Sequence, residues 1–283
     1  MSRRMLRLSL IAALIVPLAA CALHAPPLPD HPCPLIVAHR GSSRTAPENT
    51  LSAYWLAWEQ GAHAAETDVR LTADGHVVCL HDDTLERTAG VDRPLSEMTL
   101  AEVRALDAGS WKSPDFAGEP VPLLSEVLAI TPPGALFFVE IKTGPESVPA
   151  IVDVIENSGI EDQIVVIAFN SDVLDAVQDL MPEMPLLWLL GAPKDPETDE
   201  PLPIDPDKAR IAAESGYTGI NVSFYGVHEA LVRACEEHGM DLAVWTVDDP
   251  ERAAGFVDMG ICGITTNVPD VMLEALAPLP SAM

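Results

Sequence analysis

Residues 35–71 read LIVAHRGSSRTAPENTLSAYWLAWEQGAHAAETDVRL, and this stretch decides the predicted fold. The apolar run Leu35–His39 predicts a buried strand, and Asn49–Gln60 predicts an amphipathic helix. Ala64–Leu71 then predicts a second strand. A strand, a crossover helix and a further strand form the unit from which parallel sheets are built.

The same alternation continues along the chain and adds six strands and five helices. Eight strands with crossover helices over about 235 residues are typical of an α/β fold, the (β/α)8 TIM barrel. An open doubly wound sheet is disfavoured because no Gly-x-Gly-x-x-Gly follows the first strand. The further strands are predicted at Ala135–Lys142, Gln163–Phe169, Pro185–Leu190, Thr218–Val222, Asp241–Val247 and Gly263–Thr266, and the further helices at Val148–Asn157, Ser171–Leu180, Asp207–Glu214, His228–Glu237 and Pro250–Asp258.

Two segments interrupt this alternation. Asp74-Gly75 lies between two alternating runs, which indicates a β-hairpin that extends the second strand. With the turn centred between these two residues, we expect His81 to lie opposite Asp68. The stretch from about 83 to 130 is too long for one loop, and we predict a small inserted subdomain above the barrel. Its helices are predicted at Thr99–Leu106 and Leu124–Ile130.

The amino terminus has the pattern of an export signal. Arginines at 3, 4 and 7 precede the apolar run Leu8–Val16, which is too short to span a bilayer of ~30 Å hydrocarbon. The following Leu-Ala-Ala-Cys resembles the bacterial lipoprotein pattern, in which the cysteine, here Cys21, is lipidated, and Ala22 then implies the outer membrane. We therefore predict a lipoprotein signal peptide over 1–20 and an exported protein on the periplasmic side. An ordinary signal peptide with an incidental Cys21 is the alternative.

The remaining boundaries follow from composition. Residues 21–34 are rich in proline and predict an extended tether, 35–270 form the barrel domain, and 271–283 form a tail. The cysteines at 33, 79, 235 and 262 would lie in an oxidising compartment, which allows one disulfide. No Cys-x-x-Cys is present, so a zinc–thiolate site is not expected.

The overall charge limits the range of partners. Sixteen basic against 43 acidic residues give a net charge of −27, which is unfavourable for binding nucleic acid or an anionic membrane face. Contact with a membrane is expected only through the lipid on Cys21, and no protein partner is inferred. Hydrophobic residues at 48% and charged residues at 21% exclude a mainly disordered chain.

Polar side chains stand at the carboxyl ends of the predicted strands, where TIM-barrel enzymes place catalysis. Residues two apart on a strand share one face, and charges on an otherwise apolar strand are costly to bury unless they pair or bind a cation. The residues are His39 and Arg40 after the first strand, Glu66 and Asp68 on the second, His81 and Asp82 after the hairpin, and Glu140 and Lys142 on the third.

Three of these side chains, Glu66, Asp68 and Glu140, are carboxylates that a closed barrel would bring together at its mouth. An all-oxygen ligand set suits Ca²⁺ or Mg²⁺ and not a soft metal. Taken separately, the first two could form a solvated strand edge, and Glu140 could simply pair with Lys142. Their joint occurrence, in order and at strand ends, favours a site for a divalent cation.

The other residues suit acid–base and phosphate chemistry. His39 and His81 would flank the cation as general acid and general base. Arg40 and Lys142 could hold the two non-bridging oxygens of a phosphodiester. Asp82 has three interpretations: it orients His81, it belongs to the turn, or it helps to hold the metal.

The sequence resembles the glycerophosphodiester phosphodiesterase family over nearly all of residues 35–270. The resemblance is carried by an ordered set of motifs and implies a barrel like that of phosphatidylinositol-specific phospholipase C. The motifs are AHRG (38–41), APENT (46–50), ETDV (66–69), TADG (72–75), HDDTLERT (81–88), PLLSEVL (122–128), VEIK (139–142), WTV (245–247) and GITTN (263–267), followed by Pro269.

The resemblance also implies roles for matching residues. It implies a divalent metal on Glu66, Asp68 and Glu140, and an acid/base pair formed by His39 and His81. The implied phosphate contacts are Arg40 and Lys142. Glu48 and Asn49 would brace the site from the first loop, and Trp245 would form an apolar wall against the glycerol carbons.

The implied reaction is metal-dependent hydrolysis of glycerophosphodiesters to sn-glycerol 3-phosphate and an alcohol. The nucleophile is either water or the neighbouring glycerol hydroxyl, which would form a cyclic phosphate. One alternative is a lysophospholipase D-type phosphodiesterase, which a long apolar groove beside Trp111 would favour. Another is a catalytically silent lipoprotein that binds a ligand, against which the intact histidine pair argues.

Overall fold

The computed structural model describes residues 25–277. Its strands are β1 (Leu35–His39), β2 (Ala64–Leu71), β3 (Val77–Cys79), β4 (Thr84–Leu85), β5 (Val91–Pro94), β6 (Leu136–Ile141), β7 (Ile164–Ala168), β8 (Leu186–Leu190), β9 (Gly219–Ser223), β10 (Asp241–Trp245) and β11 (Gly263–Thr266). Its α-helices are α1 (Leu51–Glu59), α2 (Glu86–Ala89), α3 (Leu100–Arg104), α4 (Leu124–Leu128), α5 (Val148–Glu156), α6 (Ser171–Leu180), α7 (Asp207–Glu214), α8 (Glu229–His238), α9 (Pro250–Asp258) and α10 (Pro269–Ala275).

Eight parallel strands close into a ring in the order β1, β2, β6, β7, β8, β9, β10, β11, and β11 pairs back onto β1. Helices connect most neighbouring strands and cover the outside. The predicted (β/α)8 TIM barrel is therefore confirmed, and each of the eight strands predicted for the ring has its counterpart. The extra strand β3 pairs antiparallel with β2 outside the ring.

Side chains alternate between the barrel interior and the helical layer, as the pleat of a strand requires. On β6, Leu136 and Phe138 point into the barrel, whereas Phe137 and Val139 pack under the helices. The helix α5 presents Ile151 to the same outer core, where it is fully buried. The interior is filled below the carboxyl ends of the strands, so polar groups at those ends lie on a packed floor.

The hairpin after β2 has a register that differs from the predicted one. Val69 pairs with Cys79, which places Leu80 rather than His81 opposite Asp68. The reason is the loop: Thr72 pairs with His76 around three residues, and the last of them, Gly75, has φ +81°. A three-residue loop with a left-handed glycine shifts the pairing by one residue from a two-residue turn.

The segment between the hairpin and β6 forms a small core of its own. Leu85, Leu95, Met98 and Val103 are buried together against Val78 of β3. Its two predicted helices are present and shorter than predicted, as α3 and α4. Thr99 and Glu102 form the capping box that begins α3.

The described part of the predicted tether contacts the barrel and is not a free spacer. The carbonyl of Pro26 accepts a hydrogen bond from Thr218, and Leu28 packs against the barrel interior. Cys33 forms a disulfide with Cys262, at the start of the last strand. The composition indicated an extended chain, but it gave no sign that this chain closes the amino-terminal end of the barrel.

One disulfide among the described residues agrees with the single pair that the sequence allowed, whereas the predicted tail is partly helical. Cys79 and Cys235 are free and buried. The predicted tail begins inside α10, whose Met272 is fully buried, so the folded domain extends past residue 270.

The predicted signal peptide and Cys21 lie outside the described residues. Within residues 25–277, none of the helices has the length and apolar character needed to cross a membrane.

Candidate active site

A cavity of about 250 Å³ opens at the carboxyl ends of the barrel strands. Seven of the predicted site residues line it, and they come from four ring strands and the end of the hairpin. Asp68 lies beneath them and is fully buried. The lining includes His39, Arg40, Glu66, His81, Glu140, Lys142 and Trp245, together with Phe169, Asn221 and Thr246.

The three predicted carboxylates meet on the floor of this cavity. Glu66, Asp68 and Glu140 each offer an oxygen, and these oxygens lie within 4.8 Å of one another. The strands impose this arrangement because Asp68 of β2 stands beside Glu140 of β6 in the parallel register. Glu66 Oε1 and Asp68 Oδ1 are buried without a hydrogen-bond partner among the described residues.

The electrostatics of this cluster fit a divalent cation. Burial, and then the charges of Asp68 and Glu140, raise the pKa of Glu66 well above its usual range. Burial and the charge of Asp68 likewise raise the pKa of Glu140 to about 7, although Lys142 opposes the shift. A divalent cation would relieve this repulsion and supply a partner to the two orphaned oxygens.

Two cations already contact the acids. Arg40 Nε lies 3.0 Å from Asp68 Oδ2, and its backbone N–H donates to Glu66 at 2.9 Å. Lys142 Nζ lies 2.7 Å from Glu140 and 3.5 Å from Asp68. Burial opposes ionisation of Asp68, but Arg40 and then Lys142 hold its pKa below the usual value. The pairing of Glu140 with Lys142 is therefore present within the cluster and is compatible with it.

His39 ends β1 and is oriented by a residue from the other end of the chain. Its Nδ1 lies 2.7 Å from Asn267 Oδ1, which follows β11. Asn267 Nδ2 donates to Asp248 at 2.8 Å, which fixes its amide so that the oxygen faces His39. His39 therefore donates from Nδ1 and keeps a lone pair on Nε2. Burial, and then the charge of Arg40, lower the pKa of His39 to about 4.

His81 is held by a carboxylate. Its Nδ1 lies 2.6 Å from Asp82 Oδ1. Of the three interpretations of Asp82, this contact supports the one in which Asp82 orients His81. Arg87 Nε donates to the other carboxylate oxygen at 2.7 Å. Burial opposes the shift, but the hydrogen bonds from Arg87 and His81 lower the pKa of Asp82 to about 2. Arg70 also fixes this segment by donating to the carbonyl of His81.

Glu48 and Asn49 lie behind these groups in the first loop. Glu48 accepts from Arg40 at 2.8 Å and from both terminal nitrogens of Arg87. Asn49 donates to Asp68 at 2.8 Å and accepts from Tyr54 at 2.9 Å. The two residues thus connect the first loop to the acid cluster and to the segment that carries His81.

One side of the cavity is apolar. Trp245 ends β10, donates from its indole to the carbonyl of Asn221, and packs edge-on against Phe169 with 5.7 Å between ring centroids. Leu189 and Ile167 continue this surface toward the barrel interior. The wall suits the carbon skeleton of a small ligand whose polar end points to the acids.

Several functional contacts were not predicted. Asn267 and Arg87 lie inside the motifs GITTN and HDDTLERT, so the signal was present without an assigned role. Asp248 and Phe169 gave no signal, because their importance depends on which strands become neighbours.

The fold and this site define a class of enzyme: a TIM barrel with a carboxylate cluster and two histidines at the catalytic end. The glycerophosphoryl diester phosphodiesterase family model matches residues 39–271. A glycerophosphodiester phosphodiesterase of Caldanaerobacter subterraneus is 32% identical over 85% of this chain and 96% of its own length. The chain therefore belongs to the glycerophosphodiester phosphodiesterase family.

Solved structures agree with this assignment. A phosphodiesterase from Oleispira antarctica, in complex with the product sn-glycerol-3-phosphate, is 28% identical with a TM-score of 0.76, covering 87% of this chain and 98% of that one. A glycerophosphoryl diester phosphodiesterase structure from Silicibacter pomeroyi is 26% identical with a TM-score of 0.77, covering 88% and 95%.

Proposed function

We propose that this protein hydrolyses glycerophosphodiesters to sn-glycerol 3-phosphate and an alcohol, using a divalent cation and two histidines. The observation that carries the proposal is the arrangement of the histidines. His39 and His81 line one cavity above the carboxylates, and each uses Nδ1 for a hydrogen bond to a side-chain oxygen. Nε2 of each ring is therefore left for the substrate.

Glu66, Asp68 and Glu140 would hold the cation, and their oxygen ligands suit Ca²⁺ or Mg²⁺. When bound, such an ion neutralises charge on the phosphoryl oxygens and lowers the pKa of the attacking oxygen. Arg40 and Lys142 line the same cavity, so a phosphate that enters it meets two further positive charges.

His39 acts as the general base in this proposal. The amide oxygen of Asn267 accepts its Nδ1 proton, and burial beside Arg40 keeps the imidazole neutral at pH 7. Nε2 can therefore take the proton from the attacking oxygen. The geometry of the Asn267 amide supports this role independently of any pKa.

His81 acts as the general acid. A carboxylate partner stabilises a positive imidazolium, whereas a neutral amide does not do so to the same extent. Asp82 is that carboxylate, and Arg87 keeps it ionised. His81 can therefore carry a proton on Nε2 and donate it to the departing alkoxide. Trp245 and Phe169 would contact the glycerol carbons during this step.

The direct test is release of sn-glycerol 3-phosphate from glycerophosphocholine with and without chelator. We expect turnover that disappears in EDTA and returns with Ca²⁺ or Mg²⁺. His39→Ala and His81→Ala should each lower kcat by about 10² or more, as lost acid–base catalysis does. Glu66→Gln should raise the cation concentration needed for half-maximal rate. Undiminished activity in both histidine variants would remove the assigned roles.

The two alternatives predict different observations. A long apolar groove beside Trp111 would favour a lysophospholipid substrate, but the cavity at Trp111 is lined by Arg44, Lys112 and Asp248. A silent binding protein would release no glycerol 3-phosphate at any cation concentration.

We also propose that the protein is exported and anchored through a lipid on Cys21. The signal pattern supports this proposal, and the Cys33–Cys262 disulfide is of the kind that forms in oxidising compartments. In a Gram-negative host, the full-length protein should fractionate with membranes, and Cys21→Ala should release it to the soluble periplasmic fraction. Equal membrane association of both proteins would contradict the anchor.

A further inference from the structure

A second cavity of about 220 Å³ adjoins the first. The two cavities share only His39 and Arg40 in their linings. The first is formed by the ends of ring strands, whereas the second is formed in part by the loop after β1 and by the inserted segment. Lys112 joins these two parts because its Nζ donates to the carbonyl of Ser43 at 2.7 Å.

A phosphodiester has two ester arms, one on each side of its phosphate. Two cavities that meet at His39 and Arg40 provide a place for each arm of a phosphate held at the acid cluster. The apolar wall of Trp245 and Phe169 fits the glycerol arm in the first cavity. The alcohol arm, with its leaving oxygen facing His81, would then extend past Arg40 into the second cavity, where Trp111 is 39% exposed.

The second cavity holds basic side chains that lack a carboxylate partner, whereas most basic side chains in the described part of the chain have one. Residues 25–277 contain thirteen lysines and arginines, and nine of them lie within 4.0 Å of a carboxylate oxygen. Of the four that have no carboxylate oxygen of the described residues within 4.0 Å, Lys208 and Arg252 lie over aromatic rings and line neither cavity. The remaining two, Arg44 and Lys112, both line this cavity. Such a concentration is unexpected for a chain with a net charge of −27.

The acids in the second cavity are already engaged. Glu48 accepts from Arg40 and Arg87, and Asp248 accepts from Asn267 through both of its oxygens. The Trp111 ring has Arg87 and Lys112 near it, at 5.9 Å and 5.7 Å from its centroid. A ring with two cations beside it is a poor receptor for a quaternary ammonium group, because like charges would meet.

We propose that the second cavity binds the alcohol arm of the substrate, and that Arg44 and Lys112 make it prefer an alcohol bearing a negative charge. The proposal rests on the proposed function, since it assigns one arm of the same phosphodiester. It adds a substrate class: glycerophosphodiesters whose alcohol carries an anionic group.

The test compares two substrates that differ only in that charge, glycerophosphoglycerol and glycerophosphoglycerate, in which a carboxylate replaces a hydroxymethyl group. The readout is the ratio of kcat/KM for the anionic over the neutral substrate, measured as sn-glycerol 3-phosphate released. Arg44→Gln and Lys112→Gln should each lower this ratio about fivefold to tenfold, as loss of one partly exposed ionic contact does. Arg44→Glu should lower it further, and salt should reduce the wild-type ratio.

Lys208→Gln is the matched control, because Lys208 also lacks a carboxylate partner among residues 25–277 but lines neither cavity. Lys208→Gln should leave the kcat/KM ratio unchanged. An equal fall of this ratio in Arg44→Gln, Lys112→Gln and Lys208→Gln would show a general effect of protein charge and overturn the proposal. Normal hydrolysis with an unchanged ratio in Arg44→Glu would overturn the subsite and leave the proposed function intact. Release of no glycerol 3-phosphate from either substrate would overturn both.

Discussion

Replacing Asp82 by asparagine tests whether His81 is the acid. The substitution keeps the size of the side chain and removes the charge that lies 2.6 Å from His81 Nδ1. Hydrogen bonds to charged groups contribute about 1.5–3 kcal/mol, and exposure reduces this value. Both side chains are about one-third exposed, at 33% and 32%. We therefore take about 1.4 kcal/mol, which corresponds to a tenfold lower kcat on an alkyl ester such as glycerophosphocholine.

The leaving group makes this prediction specific. A p-nitrophenyl ester of glycerol 3-phosphate releases a stable anion that needs no proton, so Asp82→Asn should slow its cleavage much less than tenfold. His81→Ala should show the same selectivity with a larger loss on the alkyl ester, and His39→Ala should slow both substrates alike. The control is Asp83→Asn, because Asp83 is the next residue, is 82% exposed on its side chain and pairs with Arg70. Equal losses on the two esters would refute the assignment of His81.

Three further predictions concern other parts of the structure. Cys33→Ser removes a disulfide that spans 229 residues, and the free energy of unfolding measured in urea should fall by about 2–5 kcal/mol. The wild-type protein with its disulfide chemically reduced should show the same free energy of unfolding as the variant. The pKa of Glu140 is about 7 without a cation, so protons compete with the metal, and the Ca²⁺ concentration for half-maximal rate should rise as pH falls below 7. Asn267→Leu removes the acceptor of His39 Nδ1 and should lower kcat about tenfold with little change in KM. Ser43→Ala removes the other hydrogen bond that Asn267 Oδ1 accepts and leaves the contact with His39 in place, so its kcat should stay near the wild-type value.

The barrel and its acid cluster could be predicted because strand geometry leaves few alternatives. Residues two apart on a strand share a face, and a closed ring brings the carboxyl ends of all strands to one mouth. Glu66, Asp68 and Glu140 therefore had to meet once the strands were placed. Their position on apolar strands was itself informative, because such burial requires a compensating charge.

Local geometry was less predictable than topology. An Asp-Gly pair is compatible with a two-residue or a three-residue loop, and the choice moves every later pairing by one position. His81 still lines the cavity in the observed register, in which Leu80 pairs with Asp68 and the histidine follows directly. The prediction of a free tether for the proline-rich segment was wrong for a different reason, because composition describes chain stiffness and does not show what the chain contacts.

The difference between the two histidines could not be read from the sequence, although it sets the direction of proton flow in the proposed reaction. Asp82 follows His81 directly, but adjacency alone does not show which way a carboxylate points. Asn267 is 228 residues from His39 and reaches it only because β11 closes the ring onto β1. One imidazole thus receives a neutral acceptor and the other a charged one. In the proposed reaction the neutral acceptor leaves His39 Nε2 free to take a proton, whereas Asp82 orients His81 for donation. This asymmetry comes from barrel closure together with a contact between adjacent residues.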